Sequence, residues 1–290
     1  MSSYLITLLT TIGMYIILAL GLNVIVGYAG QISLGHAAFW AIGAYSFAIL
    51  TTKFSLSFVV SAILAVIITA LVGIILGLPS LRVREDFLAI TTIGINFIVQ
   101  AIFKYTPFFG GAMGIGGIPF PKWGGNMFTS GQFLVFTYIM VALSVFVSFM
   151  FKRSWAGLAS SAIKDDELAS SMVGIDPRRF KILAFALGSA YAGIAGILYA
   201  SFMGFISPED FSFAVSITIL SMVMVGGENT IIGPIFGAVL LISLPEIFRP
   251  IQDYRMLLYG GLLLIMMRFQ PSGFFGEGGL IWKLIRPKRS

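Results

Sequence analysis

The sequence contains no cysteine, which excludes disulfides, a thiolate nucleophile and any cysteine-ligated metal, and leaves the redox compartment unread. It has a single histidine, His36, and only 10% of its 290 residues are charged, against roughly a quarter in soluble domains. No glycine is directly followed by lysine, so the chain has no phosphate-binding loop with which to hydrolyse ATP. No Asp or Glu falls in the central part of a long apolar stretch, whereas proton-coupled carriers rely on intramembrane carboxylates or histidines. Paired carboxylates, a metal-ligand cluster and a nucleophile beside a base are also missing, which argues against an intramembrane enzyme.

What is present is apolar: 58% of the residues are hydrophobic, and no charge occurs between Met1 and Thr52. This composition predicts an all-α polytopic membrane protein, with 1–290 forming one transmembrane domain. Charge-poor windows long enough to cross a bilayer run over about 4–26, 31–52, 56–81, 87–103, 131–151, 182–206, 211–227, 231–248 and 256–275. The last is the weakest, because Arg255 and Arg268 bracket it closely and must snorkel to opposite interfaces. The start, Met1-Ser2-Ser3-Tyr4, lacks the positive region of a secretory signal, so the first span is expected to be retained.

The most informative stretch is Gly27-Tyr28-Ala29-Gly30-Gln31-Ile32-Ser33-Leu34-Gly35-His36-Ala37. It predicts a second helix broken at membrane depth, where only surrounding protein or a water-filled cavity can satisfy the backbone. Broken helices line substrate sites in transporters; the alternative is a plain turn between two helices. Likewise, His36 is either a pathway group or a hydrogen-bonded structural residue.

The net charge of +6 is not read as nucleic-acid binding, because the cations lie between spans. Placing 152–181 inside puts Arg82, Arg84, Lys152, Arg153, Lys164, Arg178, Arg179, Lys181, Arg268, Lys283, Arg286, Lys288 and Arg289 on the cytoplasmic side. Lys53, Lys104, Lys122, Arg249 and Arg255 then lie outside, and the C-terminus is cytoplasmic.

Two connections are elaborate. The outside segment 105–130 has seven glycines and three prolines, too many for a regular helix. It is either a surface cap over the pathway entrance or an unstructured loop. The inside segment predicts an amphipathic helix over 157–174, with Leu158, Ala162, Ala169, Met172 and Val173 toward one face and Lys164, Asp166, Glu167 and Ser170 largely on the other. Gly174 suits a helix end, Asp176 an N-cap and Pro177 the first position of the next span. Arg178, Arg179 and Lys181 then sit in a first turn that disfavours cations, so their role reads as topogenic. Close helix packing is expected at Gly73/Gly77, Gly233/Gly237, Ser189/Gly193 and Ala192/Gly196.

Four blocks in order resemble the membrane permease subunits of bacterial branched-chain amino acid ABC importers, of the LivM type. They are Gly21-Leu22-Asn23 through Gly27–Phe39 to Gly43-Ala44-Tyr45; Leu81–Ile90 with the later Gly117-Ile118-Pro119; Ala162–Ala169 through Gly174-Ile175; and Gly226-Gly227, Thr230, Gly233-Pro234 and Gly237-Ala238. The resemblance implies an ABC importer permease fold in a bacterial inner (plasma) membrane, embedded in lipid. It implies a paralogous permease of the LivH type, two cytoplasmic ABC ATPases that hydrolyse ATP, and an extracytoplasmic substrate-binding protein. No cofactor is implied for this chain. The third block resembles a coupling helix, with Lys164, Asp165, Asp166, Glu167 and Gly174 as its ATPase-facing residues. Two departures stand out: Glu167 and Gly174 are seven apart where many importers have six, and Asn229 stands where such permeases commonly carry glycine. Glu228 beside it is a further candidate ATPase contact.

The expected function is ATP-driven import of leucine, isoleucine or valine, with Gln31, Ser33 and His36 as pathway residues and Asn23, Asn96 and Gln100 as secondary ones. A urea or short-chain amide permease is the near alternative. A stand-alone channel or ion-coupled carrier is the alternative from another class.

Overall fold

The computed structural model describes residues 3–79, 85–123, 126–247, 255–270 and 273–276. Arg82, Arg84, Arg249, Lys283, Arg286, Lys288 and Arg289, counted above for orientation, lie outside the described residues. Helix dominates, as it must where lipid offers the backbone no hydrogen bonds. The apolar helices are α1 (Ser3–Asn23), α2 (His36–Thr52), α3 (Phe58–Gly77), α4 (Glu85–Tyr105) and α5 (Ser130–Arg153). After two short helices, α6 (Trp155–Asp165) and α7 (Glu167–Met172), come α8 (Pro177–Met203), α9 (Phe213–Gly226), α10 (Ile232–Ile247) and α11 (Arg255–Phe269).

Among the described residues, six segments are long and apolar enough to cross a membrane: Ser3–Tyr28, Phe58–Gly77, Phe87–Tyr105, Ser130–Arg153, Pro177–Met203 and Pro208–Gly226. The other three expected windows hold α2, α10 and α11, which have 17, 16 and 15 residues. These fall short of the roughly 20 residues of a free-standing crossing. α2 needs no such length, because most of it is enclosed by protein.

The centre of the molecule is α8, which packs most extensively on α2 and α3 and also on α1. The seam is built from missing side chains. A Cβ on Gly43 would stand 2.5 Å from the Gly193 Cα, and one on Gly196 would stand 2.6 Å from the Trp40 carbonyl oxygen. Gly73 lies against Ser189 and Gly77 against Phe185, and between α10 and α9 Gly237 lies against the Met222 carbonyl. The small-residue pairs therefore serve close backbone approach.

One end of the bundle gathers α6, α7 and the turn between α9 and α10. There, Lys152 at the end of α5 donates to the Asn229 carbonyl (3.3 Å). Asn229 takes the left-handed conformation, with φ of +60°, which asparagine tolerates better than other residues with a side chain. Phe274 and Phe275 donate their backbone N–H groups to Val225 and Gly226 (3.0 and 2.9 Å), bringing the chain after α11 to this same end.

The opposite end carries the segment between α4 and α5, which is structured. Turns of 3-10 helix at Pro107–Phe109 and Gly111–Met113 lead to β1 (Ile115–Gly116). A small hairpin follows, β2 (Lys122–Trp123) with β3 (Asn126–Met127). β1 pairs antiparallel with β4 (Phe205–Ile206), Ile115 opposite Ile206, tying the cap to the end of α8. Beneath it, Trp40, Tyr45, Phe103, Tyr199 and Phe211 interlock, with Tyr45 stacked on Phe103 at 4.1 Å.

Candidate functional site

The chain between the first two helices departs from regular structure in steps. α1 widens into a π turn over Val24–Tyr28, a feature often found at functional sites. Residues 29–35 then run without helix, and α2 begins at His36. The break thus lies ahead of the second helix. Its backbone is satisfied by borrowed partners: Gln31 N donates to the Ile25 carbonyl (3.0 Å), Leu34 N to the Thr92 hydroxyl (2.9 Å), and Ala37 N to the Ser216 hydroxyl (3.0 Å). Thr92 belongs to α4 and Ser216 to α9, so two distant helices anchor the break.

Side chains alternate across this segment as on an extended strand. Gln31, Ser33 and His36 are buried, at 2%, 0% and 0% exposure, whereas Ile32 between them is 43% exposed. Both amide atoms of Gln31 and the Ser33 hydroxyl lack a hydrogen-bond partner within the protein, while the buried His36 ring lies by the Leu18 backbone. Asn96 is buried with both amide atoms unpaired, and it lies one helical turn from Thr92 on the same side of α4. A buried polar atom without a partner costs roughly 1–3 kcal/mol. Gln31, Ser33 and Asn96 all carry buried polar atoms that the protein itself leaves unpaired.

The other two expected pathway residues are occupied. Asn23 donates to the Thr230 carbonyl (2.8 Å) and accepts from the Asn229 N–H (3.1 Å), pinning the turn between α9 and α10 to the end of α1. Gln100 donates to the Pro208 carbonyl (3.2 Å) and to Glu209 (3.3 Å), beside the Lys104–Glu209 ion pair at the cap.

The amphipathic segment forms two helices rather than one over 157–174. Asp166 is extended (φ −156°) and its carboxylate caps α7 by accepting from Ala169 N (2.9 Å), so the chain restarts there. Gly174 follows with φ of +88°, Asp176 accepts from Arg178 N (3.1 Å), and Pro177 opens α8. The cations of that first turn are compensated: Arg179 meets Asp176 (3.1 Å) and Lys181 meets Glu167 (2.7 Å). Of the acidic run, Asp166 and Glu167 are thus engaged, and Asp165 is exposed. The outward surface of α7 is largely apolar, with Leu168, Met172 and Val173 exposed.

Lys164 points inward. Its ammonium reaches the Gly27 carbonyl (3.0 Å) and the Glu228 carboxylate (3.0 Å), and its stem lies over Gly30. One side chain on α6 therefore holds both the start of the non-helical segment and the turn before α10. Among the described residues no group of three or more histidines and acids could hold a metal.

Sequence reasoning missed Thr92 and Ser216, whose role depends on long-range contacts that no local pattern reports. It also missed the exposure of Ile32, although strand-like alternation from Gln31 to Ser33 would have indicated it.

Comparison with known proteins follows the same lines. The family described as "branched-chain amino acid transport system / permease component" matches residues 4–267. The high-affinity branched-chain amino acid transport system permease protein LivM of Escherichia coli (strain K12) is 39% identical over 284 residues, covering 89% of this chain and 67% of its own. A probable LivM of Methanocaldococcus jannaschii is 27% identical, covering 95% of this chain and 94% of its own. The permease protein LivH of Salmonella typhimurium is 24% identical and covers 91% of each. No solved structure matches significantly.

Proposed function

The chain belongs to the branched-chain amino acid transport permease family, as a multi-pass import permease subunit that works with other subunits, and from that premise we propose that it passes leucine, isoleucine or valine through the region around the start of α2. The observation that carries this reading is the set of unpartnered polar groups on Gln31, Ser33 and Asn96, with His36 buried beside them at the start of α2. An amino acid is a zwitterion with several strong donors and acceptors. Its carboxylate suits the N-terminal end of α2, where the helix dipole favours negative charge. The amides of Gln31 and Asn96 can receive its ammonium through their oxygens and its carboxylate through their nitrogens.

All four side chains are sealed from solvent in this structure. Substrate therefore reaches them only when α4 and the 29–35 segment separate from α2 and α9, as alternating access requires. We assign the driving force to ATPase subunits docked on α6 and α7, with the exposed Leu168, Met172 and Val173 as the apolar contact and Asp165 at its rim. By this reading the α6 end is cytoplasmic, the chain after α11 returns to that side, and the cap faces an extracytoplasmic binding protein. A paralogous permease completes the pathway.

The test is reconstitution of the chain with its paralogous permease, ATPases and binding protein in liposomes. ATP-dependent uptake of labelled leucine is expected, competed by isoleucine and valine and not by urea or acetamide. Leucine uptake indifferent to ATP, or equal competition by urea, would overturn the proposal.

A further inference from the structure

A groove of about 1230 Å³ lies between α5, the start of α6 and the start of α10. That exceeds the range of roughly 300–1,000 Å³ in which most small-molecule pockets fall. Its walls are almost wholly apolar, with Phe146, Leu158, Ile231 and Ile232 among them, and Phe146, Leu158 and Ile232 are each more than half exposed. Lys152 and Arg153, the last two residues of α5, stand at its α6 end.

These two cations are held toward the groove without being neutralised. The Arg153 guanidinium sits over the Phe149 ring at 4.1 Å, and the Lys152 ammonium is tethered to the Asn229 carbonyl. Among the described residues neither is paired with a carboxylate, and no carboxylate lines the groove. Arg178 and Arg179 lie at the same end of the bundle but away from the groove. Arg179 is paired with Asp176. An orientation bias alone would place cations at this end; it would not set two unpaired ones at the mouth of an apolar trough.

We infer that this groove is a binding site for an anionic phospholipid, with the acyl chains along α5 and α10 and the phosphate on Lys152 and Arg153. The chemistry is complementary at both ends. The apolar trough lies within the membrane-spanning part of α5, and basic pockets between helices at the membrane boundary bind phosphate headgroups. A guanidinium is the side chain best shaped to grip a phosphate with two hydrogen bonds. The inference does not depend on which solute is transported.

The test uses the assembled transporter in nanodiscs of phosphatidylcholine with a minority of phosphatidylglycerol, with retained lipid measured by native mass spectrometry after transfer to mild detergent. Wild type is expected to retain phosphatidylglycerol well above its share of the mixture. The Lys152→Gln/Arg153→Gln double variant should retain about tenfold less, and Arg178→Gln/Arg179→Gln, which removes the same charge at the same end, should retain it as wild type does. Equal losses in both doubles, or retention of the two lipids in proportion to the mixture, would overturn the site. Because the chain has no cysteine, Phe146→Cys provides a single reporter. Efficient cross-linking of that cysteine to another subunit would mean the groove is a protein interface, which also refutes the proposal.

Discussion

Replacing Lys164 by methionine keeps the stem that covers Gly30 and removes the charge. What is lost is a charge-assisted hydrogen bond to the Gly27 carbonyl and an ion pair with Glu228, both at 3.0 Å. Hydrogen bonds to charged groups contribute roughly 1.5–3 kcal/mol. The two side chains are only 25% and 29% exposed, so the pair is screened less than a surface ion pair, which is worth about 0–1 kcal/mol. A combined effect of about 2 kcal/mol is reasonable, and that is on the order of a thirtyfold change in an equilibrium between two arrangements. Since the lost contacts join α6 to the non-helical segment, the loss should appear in coupling rather than in ATP hydrolysis. In proteoliposomes measuring hydrolysis and leucine uptake together, Lys164→Met should lower uptake per ATP by about tenfold while the complex stays assembled. Glu228→Gln should act in the same direction, and the double variant should be little worse than either single one, as expected for residues in one network. An unchanged ratio of uptake to hydrolysis in Lys164→Met, in an intact complex, would refute the idea that this lysine transmits the motion of α6.

Asn96→Leu removes a buried amide with no partner, so the permease should gain about 1–3 kcal/mol of stability, read as a raised melting temperature in detergent, while leucine uptake falls at least tenfold; a variant that is both less stable and fully active would contradict the site. Gly43→Ala places a methyl group against the Gly193 backbone and should cost about 1–3 kcal/mol through separation of α2 from α8, measured as a lowered melting temperature. Leu168→Asp with Met172→Asp should abolish co-purification of the ATPases without reducing membrane insertion, because both side chains are exposed on α7 and satisfy nothing inside this chain. Glu167→Lys is a poorer test of docking, since it also breaks the pair with Lys181.

The membrane class and the positions of the apolar helices were legible because hydropathy and length report directly on the solvent. The Asp176 cap and the Gly174 stop were legible too, as local backbone chemistry needs only neighbours in sequence. Sequence could not separate Asn23 from Gln31. Both are polar residues near a helix break, but Asn23 is consumed by the turn 207 positions away, which only the fold brings beside it. Lys164, expected to face an ATPase, also has Gly27 and Glu228 under its ammonium, contacts that no local pattern reports. Within the acidic run expected to face an ATPase, Asp166 also caps α7 and Glu167 also pairs with Lys181, which only the fold reveals.

The glycine seam along α8 has a mechanical consequence. Where helices touch through backbone atoms, as Gly43 does on Gly193 and Gly196 on Trp40, no side-chain rotamers are available to absorb sliding, and close-packed contacts of this kind do not deform continuously. Helices α2 and α8 are therefore expected to move as one body through a transport cycle. The stroke is then expected from elements hung on side chains and hydrogen bonds: α4 and the 29–35 segment through Thr92, and the turn before α10 through Asn23 and Lys164.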